Sequence, residues 1–378
     1  MKKGRFLFVT CDGGGNTRPM YPIIRRLAGR GHQVTVLGQS AQADSVRELG
    51  ANFLPLKVPD WTTGKSVEEE IDLAGSLFFG RSVGDAVLDY VEQHVPDALV
   101  VDCLLTSGLA AAEHSNIPSA ALVHVLYQQL VAGTMSLMWN SMLPMINETR
   151  SRIGVAPVGS PVAVMDPLNV VLVACPREFD VALSQLPRNV HYVGAIFDDA
   201  PTPADTSLWR IENGRPRVLV TFSTTCQHQE GVLRRIAAAL AELQVEAVIT
   251  VGPAVELDTV PSAPNVEVQK YVSHDALLPK CSLVVTHAGL GTVMSALAHG
   301  VPLLCMPMGR EQHDNAARVA STGTGVVLSM DAEVAEIRTM IKAMVAATHY
   351  REAARRMAEK MAQQDGLVAA VKELEALL

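Results

Sequence analysis

The chain is predicted to fold as two doubly wound α/β domains, each a parallel sheet covered by helices on both faces. Three observations lead there. At 378 residues the chain exceeds what one hydrophobic core usually organises, and 48% of it is apolar, enough for two cores. Short Val/Leu/Ile-rich runs then alternate with longer helical patterns through both halves, the signature of strands buried on both faces.

In the first half, strands are expected at 5–10, 33–38, 98–101, 119–123 and 170–174. A helix over 22–30 separates the first two: Ile23, Ile24 and Leu27 share one face, Arg25, Arg26 and Arg30 the other, and Gly31 stops it. The most apolar stretch, 120–146, contains His124, Gln128, Gln129 and Asn140, which a bilayer would penalise, so it reads as a strand followed by a buried helix. Residues 60–82 are hard to assign. The segment 198–216 holds Pro201, Pro203, Asp205, Asn213 and Gly214 and has the composition of a linker, which places the domains at 1–197 and 217–378. The second domain repeats the pattern with strands at 217–222, 247–251, 266–270, 283–287, 302–306 and 325–328. Beyond Asp331 the chain is helical, and its last helices are long enough to reach back over the first domain. The two domains are expected to face each other across a cleft.

Composition narrows the function classes. A net charge of -8 with no Lys/Arg-rich block argues against a nucleic-acid partner, which would need clustered cations to displace counterions. The cysteines Cys11, Cys103, Cys175, Cys226, Cys281 and Cys305 are scattered, with no C-x-x-C and no metal spacing, and read as reduced packing residues of a cytosolic protein. The apolar run at 6–11 is too short for a signal peptide. A cytoplasmic protein with no membrane span and no metal is expected.

The most informative segment lies in the second domain. Strand 283–287 opens into Ala288-Gly289-Leu290-Gly291-Thr292 and a helical pattern follows to Ala298. Glycines at such a turn let a phosphate approach the backbone, and the N–H groups and dipole of the helix start attract its charge. His287 and Thr292 can add donors, giving an anion site that needs no metal. A glycine turn alone is common. The polar cluster Gly309-Arg310-Glu311-Gln312-His313-Asp314-Asn315-Ala316 adds to it, because it follows another strand and so lies at the carboxyl end of the sheet, where open α/β folds bind ligands. A carboxylate beside an amide suits adjacent sugar hydroxyls.

On these residues the chain resembles the inverting, nucleotide-sugar-dependent glycosyltransferases with two Rossmann-like domains, the GT-B fold, and among them the UDP/dTDP-glycosyltransferases of bacterial natural-product type. The resemblance rests on 287–292, on Ala298-His299-Gly300-Val301-Pro302, on Glu311-Gln312 and on Asn315-Ala316; Gly31-His32-Gln33-Val34 and the strand at 217–225 extend it over nearly the whole chain. It implies that His287, Gly289, Gly291 and Thr292 hold the diphosphate with Ser223, Thr224 or Thr225, that Tyr271 stacks on the pyrimidine while the Val272 backbone reads its edge, and that Glu311 and Gln312 bind the sugar. Many relatives carry Asp where Glu311 stands. The plant enzymes carry a ribose-binding Glu where this chain has Ser295, which leaves UDP and dTDP both open.

The resemblance also implies a basic His on the first loop, oriented by an Asp. At that position the chain reads Gly13-Gly14-Gly15-Asn16-Thr17-Arg18-Pro19, so Asn16 replaces the base. An amide cannot accept a proton near neutral pH, although it can position an acceptor hydroxyl. Asp102 is a counterpart of the orienting Asp. His124 is the first alternative base, with Asp102 or Asp12 behind it; an acceptor that is nucleophilic unaided, or loss of turnover, are the other solutions. The stripe Met135, Met138, Met142 and Met145, with Trp139, reads either as core packing or as an adaptable acceptor wall, which Trp61 and the Leu77-Phe78-Phe79 cluster could complete.

The expected activity is transfer of a hexose or deoxyhexose, with inversion, from a UDP- or dTDP-sugar to a small, largely apolar natural product, as in antibiotic biosynthesis. A nucleotide-sugar-binding partner or inactive homologue is the alternative. An NAD-dependent dehydrogenase is disfavoured, because Gly13-x-Gly15 lacks a third glycine at Arg18 and no acidic residue ends the second strand. No P-loop is present.

Overall fold

The computed structural model describes residues 2–58, 67–180, 185–199, 208–209, 214–223 and 228–378. Its contacts divide the chain into two compact units, Met1–Asp198 with Gln364–Leu378, and Asp199–Gln363.

Unit 1 contains strands β1 (Arg5–Val9), β2 (Gln33–Gly38), β3 (Asn52–Pro55), β4 (Ala98–Asp102), β5 (Ser119–Val123), β6 (Val170–Val173) and β7 (Val190–Tyr192). They form one parallel sheet in the order β3-β2-β1-β4-β5-β6-β7. Strands β4, β5 and β6 are buried at every position, which is why they are apolar apart from Ser119 at the start of β5 and Asp102 at the end of β4. The two edge strands, β3 and β7, were not expected. Asn52–Pro55 is mostly exposed and Val190–Tyr192 has three residues, so neither carries a buried run to recognise.

Unit 2 contains β8 (Arg217–Thr221), β9 (Glu246–Thr250), β10 (Val266–Gln269), β11 (Leu283–Thr286), β12 (Leu303–Cys305) and β13 (Gly325–Val327), again parallel, in the order β10-β9-β8-β11-β12-β13. In both units the chain winds outward from the first strand in one direction and then resumes on that strand's other side. The order therefore reverses between β1 and β4 and between β8 and β11, and the crevice beyond the carboxyl ends of such a pair is where doubly wound sheets take ligands.

The last helix, Gly366–Glu375, belongs to unit 1. Leu367, Ala370, Val371 and Leu374 join Phe6, Phe8 and Ile24 in one buried cluster. At its end Glu375 pairs with Arg30 at 2.7 Å and with His32 at 3.1 Å. At its start, a Cβ on Gly366 would collide with the Ala195 carbonyl oxygen, so only glycine allows the helix to approach this closely.

Three expectations need correction. The first helix runs Thr17–Gly29, not 22–30, and carries Pro22 in its interior. Helices Val67–Phe79 and Ser82–His94 fill most of the segment that was hard to assign. Stretch 120–146 is not one strand and one helix: β5 is followed by helices Tyr127–Ala132, Thr134–Ser141 and Leu143–Ile153, because Gly133 is extended and Pro144 starts a new helix. Most of the expected linker, 200–207 and 210–213, lies outside the described residues. Among the described residues, no helix is long and apolar enough to cross a membrane.

Candidate active site

In unit 1 the polar groups gather at the reversal between β1 and β4. Asp102 ends β4 and is completely buried. Its Oδ2 accepts from Asn16 Nδ2 at 2.8 Å, and its Oδ1 accepts from His124 Nε2 at 3.0 Å and from the Leu104 amide at 2.9 Å. His124 arrives here because β5 pairs with β4 in a register that sets Leu122 beside Asp102. Three donors on one carboxylate make its burial tolerable.

Asn16 faces inward. Its Nδ2 also donates to the Cys11 carbonyl at 2.9 Å, and its Oδ1 accepts from the Gly13 amide at 2.9 Å. With 4% of its surface exposed, it ties the glycine loop to Asp102 instead of presenting its amide outward. Asp12 is half-buried; its amide donates to Gln39 Oε1 at 2.7 Å.

Charge organises this cluster. Burial alone would depress the His124 imidazole, but the Asp102 carboxylate, with Cys103 as a second neighbour, outweighs it and holds the ring well above its ordinary value. Burial likewise pushes Asp102 up, yet His124 and Asn16 bring it below the usual carboxylate range. Beside an ionised Asp102, Nε2 must carry the proton, so the other ring nitrogen is the one with a lone pair when the ring is neutral. Burial, then the charges of Asp102 and Asp12, push the Cys11 thiol well up and leave it inert.

The residues proposed to line the acceptor divide. Trp139 is 4% exposed and meets Phe79 edge-to-face at 5.8 Å, so it packs the interior of unit 1. Phe78 is half-buried, its carbonyl held by Thr106 Oγ1 at 2.8 Å. Met142 and Met145 are half-buried; Leu137, on the same helical stretch, is 76% exposed. The side chains of Met135 and Met138, and all of Trp61, lie outside what the structure describes.

Unit 2 repeats the plan at the reversal between β8 and β11. His287 follows β11, and its ring lies 6.0 Å from that of Phe222, just past β8. Burial first, then the charge of Arg310, lowers His287 to about 4 against a hydrogen bond with the Thr221 backbone, so the ring is neutral at physiological pH and carries one N–H. Ala288 has φ 69 and Gly289 is the N-cap of helix Leu290–Ala298. A Cβ on Gly289 would lie 2.8 Å from His287 Nε2, so a larger residue would cover the imidazole. Gly291 and Thr292 occupy the first turn, and the Thr292 amide is turned back to the Gly289 carbonyl at 3.1 Å.

Buried amides brace the surrounding loops. Asn315, fully buried, donates to the Ala288 carbonyl at 3.0 Å and so holds the left-handed residue in place. Gln312 is 2% exposed, and its Oε1 accepts from the amides of Met308 and Gly309 at 2.9 and 3.2 Å. Its oxygen thus secures its own loop, while Glu311, at the N-cap of the same helix, is half-buried. Gln229 holds Ser223 by both amide ends, at 3.0 and 2.8 Å. Tyr271 is 80% exposed beside the buried Val272, as a stacking platform requires. Ser295 is buried. Thr224 and Thr225 lie outside the described residues.

Sequence reasoning did not find Gln229 as a brace or Cys103 beside the Asp102–His124 pair. Gln229 has no motif around it; Cys103 could have been flagged only by its place next to Asp102.

Comparison with known proteins bears on the fold and on the kind of protein the chain resembles. Residues 234–377 match the family described as Erythromycin biosynthesis protein CIII-like, C-terminal domain. The 4'-demethylrebeccamycin synthase of Lentzea aerocolonigenes is 27% identical over 420 residues, covering 99% of each chain. The crystal structure of CalG4, the calicheamicin glycosyltransferase, matches 100% of this chain and 99% of its own with a TM-score of 0.82 at 23% identity. The glycosyltransferase VinC in complex with dTDP matches 99% of both chains at a TM-score of 0.75 and 20% identity. The fold is GT-B, and the chain is similar to enzymes of natural-product glycosylation over its whole length.

Proposed function

We propose that this GT-B chain transfers a hexose or deoxyhexose, with inversion and without a metal ion, from a UDP- or dTDP-sugar to a small, largely apolar acceptor. The observation that carries the reading is the buried Asp102–His124 pair at the β1/β4 reversal, which supplies a base where Asn16 cannot. The step uses the neutral form of the ring, which the neighbouring Asp102 charge disfavours: there His124 donates Nε2–H to Asp102 and its other nitrogen takes the proton of an acceptor hydroxyl. As the acceptor oxygen bonds to the anomeric carbon, the bond from that carbon to the diphosphate breaks and the electron pair leaves with the nucleotide. A single displacement of this kind inverts the anomeric centre.

In unit 2 the leaving diphosphate is stabilised by the amides opening helix Leu290–Ala298, by the neutral His287 and by Thr292. These are N–H and O–H donors, so negative charge is met by dipoles and no divalent cation is called for. Tyr271 stacks on the base and Glu311 accepts from sugar hydroxyls. The dTDP bound to VinC makes dTDP-sugars the first donors to try.

The test is to incubate the purified chain with UDP- and dTDP-sugars and a panel of hydroxyl, amine and aromatic-carbon acceptors, and to follow nucleotide release and product mass. Release that vanishes in His287→Ala supports transfer. Tight nucleotide binding with no release on any acceptor would replace the reading with that of a nucleotide-sugar-binding partner.

A further inference from the structure

The Asp102 carboxylate, the Cys103 thiol and the His124 imidazole each offer a ligand atom, and these atoms all lie within 4.8 Å of one another. From this geometry we infer that Asp102, Cys103 and His124 form a binding site for a thiophilic divalent cation, zinc in the first place, and that its occupation takes His124 out of proton transfer. The three come from the ends of neighbouring strands, not from a local motif, which is why their spacing in sequence gives no metal signature.

Four features support the site. The donor set is oxygen, sulfur and nitrogen, which selects zinc, cobalt or copper over magnesium or calcium. Ligand bonds of about 2.0–2.3 Å at tetrahedral angles put ligand atoms roughly 3.3–3.8 Å apart, so donors already within 4.8 Å need only small shifts. A divalent ion with one carboxylate and one thiolate sums to zero charge, the condition a buried site requires, and Asp102 and Cys103 are both 0% exposed. Finally, the outer hydrogen bonds exist: Asn16 Nδ2 holds Asp102 Oδ2 at 2.8 Å and leaves Oδ1 turned to His124, the kind of support that orients a ligating carboxylate. His124, with 7% of its side chain exposed, is the member nearest solvent. Binding releases the Cys103 proton and any second proton on the ring; no electrons are exchanged. The fourth position is left to water.

The binding claim is independent of the transfer reading; only the loss of activity rests on it. Titrating the reduced, full-length protein with Co2+ should give one equivalent of tetrahedral cobalt with a thiolate charge-transfer band in the near ultraviolet, displaced by Zn2+. The band should vanish in Cys103→Ser and persist in Cys11→Ser, and His124→Gln, checked for folding by its melting temperature, should weaken binding roughly tenfold or more. No band in the wild type, or a band that survives Cys103→Ser, would overturn the site whether or not the chain transfers sugar. In the transfer assay, one equivalent of Zn2+ should lower hydroxyl glycosylation roughly tenfold or more, reversibly with EDTA. Zinc bound in the wild type with the rate unchanged would overturn the inhibitory half.

Discussion

Exchanging His124 for glutamine separates the chemistry of this residue from its packing. A glutamine Nε2 can still donate to Asp102 Oδ1, so the fully buried carboxylate keeps a donor in place of the 3.0 Å bond it loses, along with those from Asn16 and Leu104. Alanine would instead leave one lone pair of a buried anion unmet, at a cost of about 1.5–3 kcal/mol, and would mix unfolding with catalysis. Glutamine cannot accept a proton. A positioned general base contributes about 10²–10⁴-fold, equivalent to roughly 2.7–5.5 kcal/mol on the barrier. Nucleotide release should therefore fall by about that factor with an alcohol acceptor, and by less than about threefold with an amine on the same scaffold, which needs no deprotonation before attack. Both are followed under saturating donor with EDTA present, and the melting temperature reports on the fold. Equal slowing of alcohol and amine, or no slowing of either, would refute His124 as the base.

Other outcomes follow from unit 2 and from the last helix. His287 has its folded value lowered to about 4, so between that and its unfolded value near 6.5 the unfolded chain binds the extra proton. Stability should then fall by roughly 3 kcal/mol as pH drops through this window, a loss read from urea midpoints and absent in His287→Gln. Tyr271→Ala should weaken nucleotide binding by about 1–3 kcal/mol in calorimetry with no change in melting temperature, because the side chain is 80% exposed; unchanged affinity would remove it from the base platform. Asn315→Leu, which deletes the bond to the Ala288 carbonyl, should cost about 1–3 kcal/mol of stability and weaken UDP or dTDP binding together. A stability loss with full affinity would show that Asn315 does not shape the anion loop. Gly366→Ala should cost about 1–3 kcal/mol and speed hydrogen exchange along the last helix, since a Cβ there meets the Ala195 carbonyl; no change in either would mean that the backbone yields easily.

What could be read from the sequence follows from what burial does to it. Strands flanked on both sides, such as Ala98–Asp102 and Ser119–Val123, are apolar at all but one terminal position, and they were legible for that reason. Asn52–Pro55 lies at an edge with one strand neighbour and an exposed face, so no comparable constraint acts on its side chains. The glycine turn at 288–291 was legible as a motif, although its left-handed residue is Ala288 and Gly289 is confined instead by the His287 ring, which a Cβ would meet at 2.8 Å. Asp102 and His124 could each be singled out, but their pairing depends on a strand register that only the sheet supplies. Gln312 was read as a sugar ligand because of its neighbour Glu311, whereas its oxygen is bonded to Met308 and Gly309; a motif names a side chain without saying which atoms are already engaged.

The helix at Gly366–Glu375 has a consequence for synthesis. Because Leu367, Val371 and Leu374 complete the cluster around Phe6 and Phe8, the first sheet leaves the ribosome with one flank uncovered, and all of unit 2 must be translated before its cover arrives. At ordinary elongation rates that interval is on the order of ten seconds or more. During it the nascent chain presents an oily strand layer to its surroundings. An isolated fragment ending at Asp198 would stay in that condition permanently, so separating the units for study requires grafting the terminal helix back onto the first.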